Sequence, residues 1–360
     1  MKGLRKYLAP FTPDISGAAS VLYALGGLIV ISDAGGCTGN VCGFDEPRWS
    51  TQKSAIFSAG LRDIDAILGR DDRFVDKIEL AARQLNASFA AVIGTPVPAV
   101  IATDYRALRR LLEHRTGLPA LAVETTGMAL YDEGEMKAYE ALFDTFGAAA
   151  EGSGFIGVLG AAPLDLPARD SCGLLKRSLG GEAEAVIYGE PGSLDCLRRA
   201  GAAVKNTVVS PGGFKTARRL QKEFGTPYEA FYPLGSFSAA SFCAVHGGGR
   251  VLVVHQQVLA DSLRKELERT GAYEKVSVAS WFMLDDELAR PDDGRLTEED
   301  DLLRFTEAGG FDTVIGDPLF RRALRGWRGD FAPLPHFAVS GSLHECEKEE
   351  DFWHGLYDKG

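Results

Sequence analysis

The chain has 360 residues, 45% of them hydrophobic, a length and apolar content that predict two or three domains with sizeable cores. A formal net charge of −11 opposes nucleic-acid binding, which needs a net basic face, while leaving room for a local basic docking patch. No window approaches the ~20 apolar residues of a membrane-spanning helix. The opening "MKGLRKYLAPFTPD" lacks the apolar stretch and cleavage site of a signal peptide, so a cytoplasmic chain without a membrane partner is expected.

In chain order, "AASVLYALGGLIVI" reads as a buried helix running into a strand. "SDAGGCTGNVCGFDEPRW", residues 32–49, follows directly and sets Cys37 and Cys42 in a glycine-rich loop. Further strand candidates are "SFAAVIG", "ALAVET", "GFIGVLG", "AEAVIYG", "NTVVS", "YEAFYPLG", "RVLVVHQ", "VSVASWFML" and "TVIGDPL". Several are continuous apolar runs, as parallel strands covered on both faces require. Helical patterns such as "DYRALRRLLEHRTG", "EMKAYEALFDTFG", "FKTARRLQKEFG" and "VLADSLRKELERTG" lie between them and end in a capping glycine. The alternation predicts an α/β chain of three Rossmann-like doubly wound units with parallel sheets. The series restarts at "EGSGFIGVLG" and at "HGGGRVLVVHQ", which divides the chain into 1–150, 151–245 and 246–345, with a tail over 346–360.

In a chain with no export signal the six cysteines are expected to be reduced, and clustered ones read as metal ligands or reactive groups. Iron–sulfur clusters are commonly held by four thiolates, and bare glycine backbone lets amides approach the sulfurs. Zinc accepts four thiolates too. Cys37 and Cys42 alone complete neither site, but two copies meeting at a two-fold axis near this loop would bring four thiolates together. The alternative is a pair of small buried thiols in a tight turn. Asp14 and Asp33 are candidate replacement ligands, or else cap and turn residues. Cys172, Cys196 and Cys243 sit in apolar or helical patterns and read as small core residues; Cys346 lies in the charged tail.

Doubly wound sheets bind ligands beyond the carboxyl ends of their strands. That placement marks Glu124 with Thr125 and Thr126, Glu190, Ser210, His255 and Asp317. His255 is the candidate proton donor, with Glu190 and Glu124 as weaker catalytic candidates. The alternatives are a strand-end histidine bonded to backbone and, for Glu190 in "GEPGS", a helix cap. The chain has no P-loop, no dinucleotide fingerprint and no zinc-protease pattern.

"ISDAGGCTGNVCGFDEPRW" resembles the segment of nitrogenase component 1 family proteins in which a strand enters a small-residue loop bearing a cluster cysteine. "VIGTPVPAVIATDYRALRRLLEHRTGLPALAVETTGM", "FIGVLGAAPLDL", "KEFGTPYEAFYPLG" and "GGFDTVIGDPLF" continue the resemblance across nearly the whole chain. Cys37 matches the family cysteine of the glycine loop. No cysteine stands in "APFTPDISGA", where the family has an earlier one, and Thr95 stands in "IGTPVPAV" in place of a later one. The resemblance therefore implies one 4Fe-4S cluster shared between the two subunits of a homodimer, held by Cys37 and Cys42. Gly36, Gly39 and Thr95 would lie against it, with the Thr95 hydroxyl donating to a cluster sulfur. It also implies an ATP-dependent iron protein as electron donor, docking near Arg48 and Lys53, and an unidentified small-molecule substrate, possibly tetrapyrrole-like. A non-catalytic scaffold for a metal cofactor and a ligand-binding protein without redox activity are the alternatives.

Overall fold

The strands form where the sequence offers short, unbroken apolar runs. Leu28–Ile31 (β1), Ala90–Ile93 (β3), Ile156–Leu159 (β5) and Thr313–Gly316 (β12) are buried at every residue, as strands covered on both faces must be. The structure, a computed structural model, describes residues 5–62, 64–65, 71–150, 154–166, 171–181, 183–341 and Trp353.

Three parallel sheets follow one another along the chain. The first joins β1 and β3 with Ala55–Ser58 (β2) and Ala120–Val123 (β4) in the order β2-β1-β3-β4. The second joins β5 with Ala185–Ile187 (β6), Lys205–Val208 (β7) and Tyr228–Ala230 (β8) in the order β6-β5-β7-β8. The third sets Arg250–Val254 (β9), Lys275–Ser280 (β10), Gly294–Arg295 (β11), β12 and Asp330–Pro333 (β13) in the order β11-β10-β9-β12-β13. The α/β architecture with three parallel sheets expected from the sequence is what the chain forms. In each sheet the chain leaves its first strand to one side and later crosses to the other. The reversal opens a crevice beyond the carboxyl ends of β1 and β3, of β5 and β7, and of β9 and β12.

The sequence reading omits helix Asp71–Gln84 and strands β2, β11 and β13. The strand expected through "VSVASWFML" stops at Ser280, whose hydroxyl accepts from Phe282 N at 3.1 Å and turns the chain inward. Of the tail expected over 346–360, only Trp353 is among the described residues, and its ring packs 5.3 Å from Phe237. Among the described residues no helix is long and apolar enough to cross a membrane.

One crossing fixes the frame for everything below. Helix Asp14–Leu22 lies on helix Tyr131–Phe146 with a glycine on each side of the contact. A Cβ at Gly17 would fall 1.8 Å from the Tyr131 carbonyl oxygen, and one at Gly134 1.8 Å from that of Asp14. Only glycine allows the two backbones so close.

Candidate functional site

β1 ends at the switch point of the first sheet, and the chain turns at Gly35, whose φ of 122° is open to glycine alone, into a helix over Gly36–Asn40. That helix continues as a π-turn over Val41–Asp45, closed by Glu46 N donating to Val41 O at 2.9 Å. Asp33 organises its start: the carboxylate accepts from Thr38 N at 2.8 Å, Thr38 Oγ1 at 2.9 Å and Ser58 Oγ at 2.6 Å. Both cysteines ride on this segment. Each is half-buried, and each packs one side against the core that contains Val41 and Ile31.

The electrostatics keep the free thiols protonated. Burial, followed by the Asp33 carboxylate, pushes the Cys37 thiol up; burial, Glu46 and then Asp33 do the same for Cys42. Asp33 thus acts on both thiols. A metal binding there must displace both protons.

The surroundings leave room for a bulky group. A Cβ at Gly35, Gly36, Gly39 or Gly43 would meet nothing within 4 Å. Two thiols beside bare, open backbone fit half the donor set of a thiolate-bound cluster. Among the described residues no group of three His, Cys, Asp or Glu could hold a metal ion, so none of them completes the pair.

Thr95 stands nearby, at the end of β3, but its hydroxyl is committed. It donates to Ser32 O at 2.7 Å and is buried. That bond ties the β1 and β3 loops together. Asp14 is likewise spent on backbone, accepting from Thr126 N at 2.8 Å and Gly127 N at 2.7 Å. Arg48, read as a docking contact, instead forks onto Glu46 (Nε to Oε1 2.7 Å, Nη2 to Oε2 2.8 Å) and donates to Ser20 O at 2.7 Å. Lys53 is exposed. Cys172 and Cys196 pack against core residues, and Cys243 Sγ lies 3.4 Å from Thr270 Oγ1.

The strand-end candidates divide. Glu124 is exposed, and Glu190 pairs with Lys176 on the second unit. His255 is buried, its Nε2 lies 3.2 Å from Pro335 O, and its ring stacks on His336 with centroids 4.3 Å apart. A carbonyl only accepts, so Nε2 carries the hydrogen and Nδ1 is bare. Burial lowers the imidazole to about 4, which leaves it neutral and without a spare proton near neutral pH. Asp317 caps its own loop, accepting from Leu319 N and His336 N, each at 2.8 Å.

Sequence reasoning passed over the polar groups that meet beside Ser210 and His255: Tyr131, Asp132, Glu135, Asp165 and His336. One signal was present. Tyr131, Glu135 and Tyr139 recur every four residues, so Glu135 stands in the apolar stripe of its helix and not on the solvated face.

Comparison with known proteins follows the same lines. The nitrogenase component 1 type oxidoreductase family matches residues 15–245. A solved structure titled nitrogenase Cp1 at pH 6.5 superposes with a TM-score of 0.68 at 11% identity, over 94% of this chain and 88% of that one. Another, titled nitrogenase Cp1 at pH 5, gives 0.69 at 13% identity, over 100% and 90%. At such identities these two speak for the fold alone. No curated protein matches the sequence. The family match spans more than half of the chain and contains the cysteine segment, and on that ground the chain belongs to the nitrogenase component 1 type oxidoreductases.

Proposed function

We propose that this chain is the substrate-reducing component of a two-component reductase, working as a homodimer with one 4Fe-4S cluster between its subunits. The observation that carries the reading is the Cys37–Cys42 segment: two half-exposed thiols on one short helical segment, bare glycine around them, and no third ligand within reach among the described residues. A second copy across a two-fold axis supplies the missing pair. The surface around the segment supports this. Phe44 is 77% exposed, Val100 85% and Met128 85%, and the segments that carry them follow β1, β3 and β4 at the carboxyl end of the first sheet. Apolar side chains exposed at one end of a sheet suit burial against a second copy.

In the bound state Cys37 and Cys42 would hold the cluster, with Gly36 and Gly39 presenting backbone to it, and the group would supply single-electron transfer. The chain has no phosphate-cradling loop of its own, so ATP-driven electron delivery falls to a separate iron protein. The substrate is a small molecule, with a tetrapyrrole as one candidate class. The deciding experiment is anaerobic purification with iron, sulfide and mass analysis. About four iron and four sulfide per dimer are expected. Zinc in their place, or a full cluster in a demonstrated monomer, would sink the reading.

A further inference from the structure

Where the three units meet, the molecule buries polar groups that its own hydrogen bonds do not satisfy. Glu135 comes from helix Tyr131–Phe146 of the first unit, Asp165 and Ser210 from the loops after β5 and β7, and His255 and His336 from the loops after β9 and β13. All five are at most 1% exposed. Both Glu135 oxygens, Asp165 Oδ2, Ser210 Oγ and Nδ1 of each histidine have no hydrogen-bond partner among the described residues. Buried polar atoms are rarely left so, because each costs roughly 1–3 kcal/mol.

The charges make the arrangement more costly still. The groups acting on Glu135 are the Asp165 and Asp132 carboxyls and the Ser210 hydroxyl, and none of them is a cation. On its other sides stand Tyr139 of the same helix and the backbone of Gly212, where an added Cβ would fall 2.9 Å from Glu135 Oε2. Two carboxyls against each other in a dry site cannot both ionise, so one proton stays with the pair. Burial and then Asp165 push Glu135 well above its ordinary range, while burial leaves Asp165 at about 6.

A chain of hydrogen bonds leads away from the pair. Tyr131 Oη is bonded to Asp165 Oδ1 and lies 3.0 Å from His336 Nε2. His336 Nε2 is 3.8 Å from Asp165 Oδ1, too far for a direct bond, so Tyr131 is the link.

We propose that Glu135 and Asp165 are a proton-holding carboxyl pair, connected through Tyr131 to His336, which stores a proton at the junction of the three units. The transfer balances without electrons. The Asp165 carboxyl proton passes to Tyr131 Oη as the Tyr131 proton passes to His336 Nε2. Asp165 is left ionised and His336 becomes an imidazolium that gives its Nδ1 proton to a water molecule entering the junction, after which Glu135 re-protonates Asp165. Burial, followed by the neighbouring His255, holds His336 well below the ordinary imidazole range, so it conducts the proton without keeping it. That the stored proton serves a reduction rests on the reductase reading; that it is stored does not.

The test uses the full chain without partner or substrate, so its outcome is separate from the iron analysis above. Infrared spectra at pH 7 should show protonated carboxyl absorption, part of it from Asp132, that Glu135→Gln diminishes. In D2O the band should shift promptly in the wild type and about tenfold more slowly in Tyr131→Phe, which keeps the ring and deletes the link. Urea unfolding in weak buffer at pH 7 should release about one proton per chain more from the wild type than from Glu135→Gln, because the uptake by His255 and His336 as they become exposed is common to both. No band at pH 7, a band undiminished in Glu135→Gln, equal exchange in Tyr131→Phe, or equal proton release from the two chains would each overturn the proposal.

Discussion

Two regions of this molecule occupy equivalent places in its sheets and are built in opposite ways. The Cys37–Cys42 segment lies beyond β1 at the switch point of the first sheet. The Glu135–Asp165 pair lies beyond β5 and β7 at that of the second. The first is open: its glycines face empty space and its thiols are half-exposed. The second is closed by side chains from all three units, and Gly212 is packed against Glu135 itself. The same crevice of a doubly wound sheet can thus be left vacant for a group from outside or filled with the chain's own titratable groups. Spare volume marks the one kind of site and unsatisfied polar atoms mark the other.

The sharpest way to break this comparison is at the thiols. Cys37→Ala and Cys42→Ala should each abolish bound iron and sulfide, while Cys196→Ala, packed against the core on the second unit, should retain both. Full iron content in either of the first two variants would mean that the open region is not the metal site.

The next largest effect contrasts glycines of the closed and open regions. Gly134→Ala drives a Cβ to 1.8 Å from the Asp14 carbonyl oxygen, and neither backbone can give way without moving its helix. A loss of about 3 kcal/mol or more is expected. Gly36→Ala meets nothing within 4 Å and should stay within about 1 kcal/mol of wild type, read from urea midpoints. Equal stabilities for the two variants would contradict the crossing.

Much of the fold could be read in advance and much of the closed region could not, for reasons visible in particular residues. β1 (LIVI) and β9 (RVLVV) declare themselves because burial on both faces demands unbroken apolar runs. β2 (AIFS) and β13 (DFAP) are edge strands, short and half-exposed, and Pro333 at the end of β13 reads as loop. The open region shows in sequence because paired cysteines among glycines are rare and adjacent. The closed one is assembled from groups up to 205 positions apart, as Tyr131 and His336 are, and an acid in "YDEGEMKAYEALF" looks like a solvated helix face. Thr95 shows the limit from the other side. Its place beside the loop was legible, but the partner of its hydroxyl was not.

A smaller effect separates the regions by pH. Burial first, and then the nearby acids, raise Asp132 to about 7; burial raises Asp165 to about 6. A carboxyl raised on folding binds its proton more tightly in the native state. Its stabilisation is complete below the unfolded value of 3.8 and is lost as pH rises to about 7. Glu299 works in the opposite sense: against its own burial, donation from Lys6, Tyr7 and Leu8 N holds it low, so its contribution fades as pH falls. The difference between wild type and Glu135→Gln isolates the junction. Across this window wild-type stability should decline relative to the variant by on the order of 1–2 kcal/mol. Parallel pH curves would place the proton elsewhere.

The smallest effect tests whether the loop beside the thiols is held by protein or by a cluster. Thr95→Val keeps the shape and removes a buried donor, leaving Ser32 O without the 2.7 Å bond that ties the β1 and β3 loops. A bond of this kind between neutral groups contributes about 1 kcal/mol, and urea unfolding should show a loss of that order. Iron content should not change, because no thiolate is touched. The reduction potential should hold too, because a hydroxyl has one hydrogen and Thr95 spends it on Ser32 rather than on sulfur. A shifted potential at unchanged stability would reverse this assignment: the hydroxyl would then turn to the cluster when one is bound, and the Ser32 bond would belong only to the empty loop.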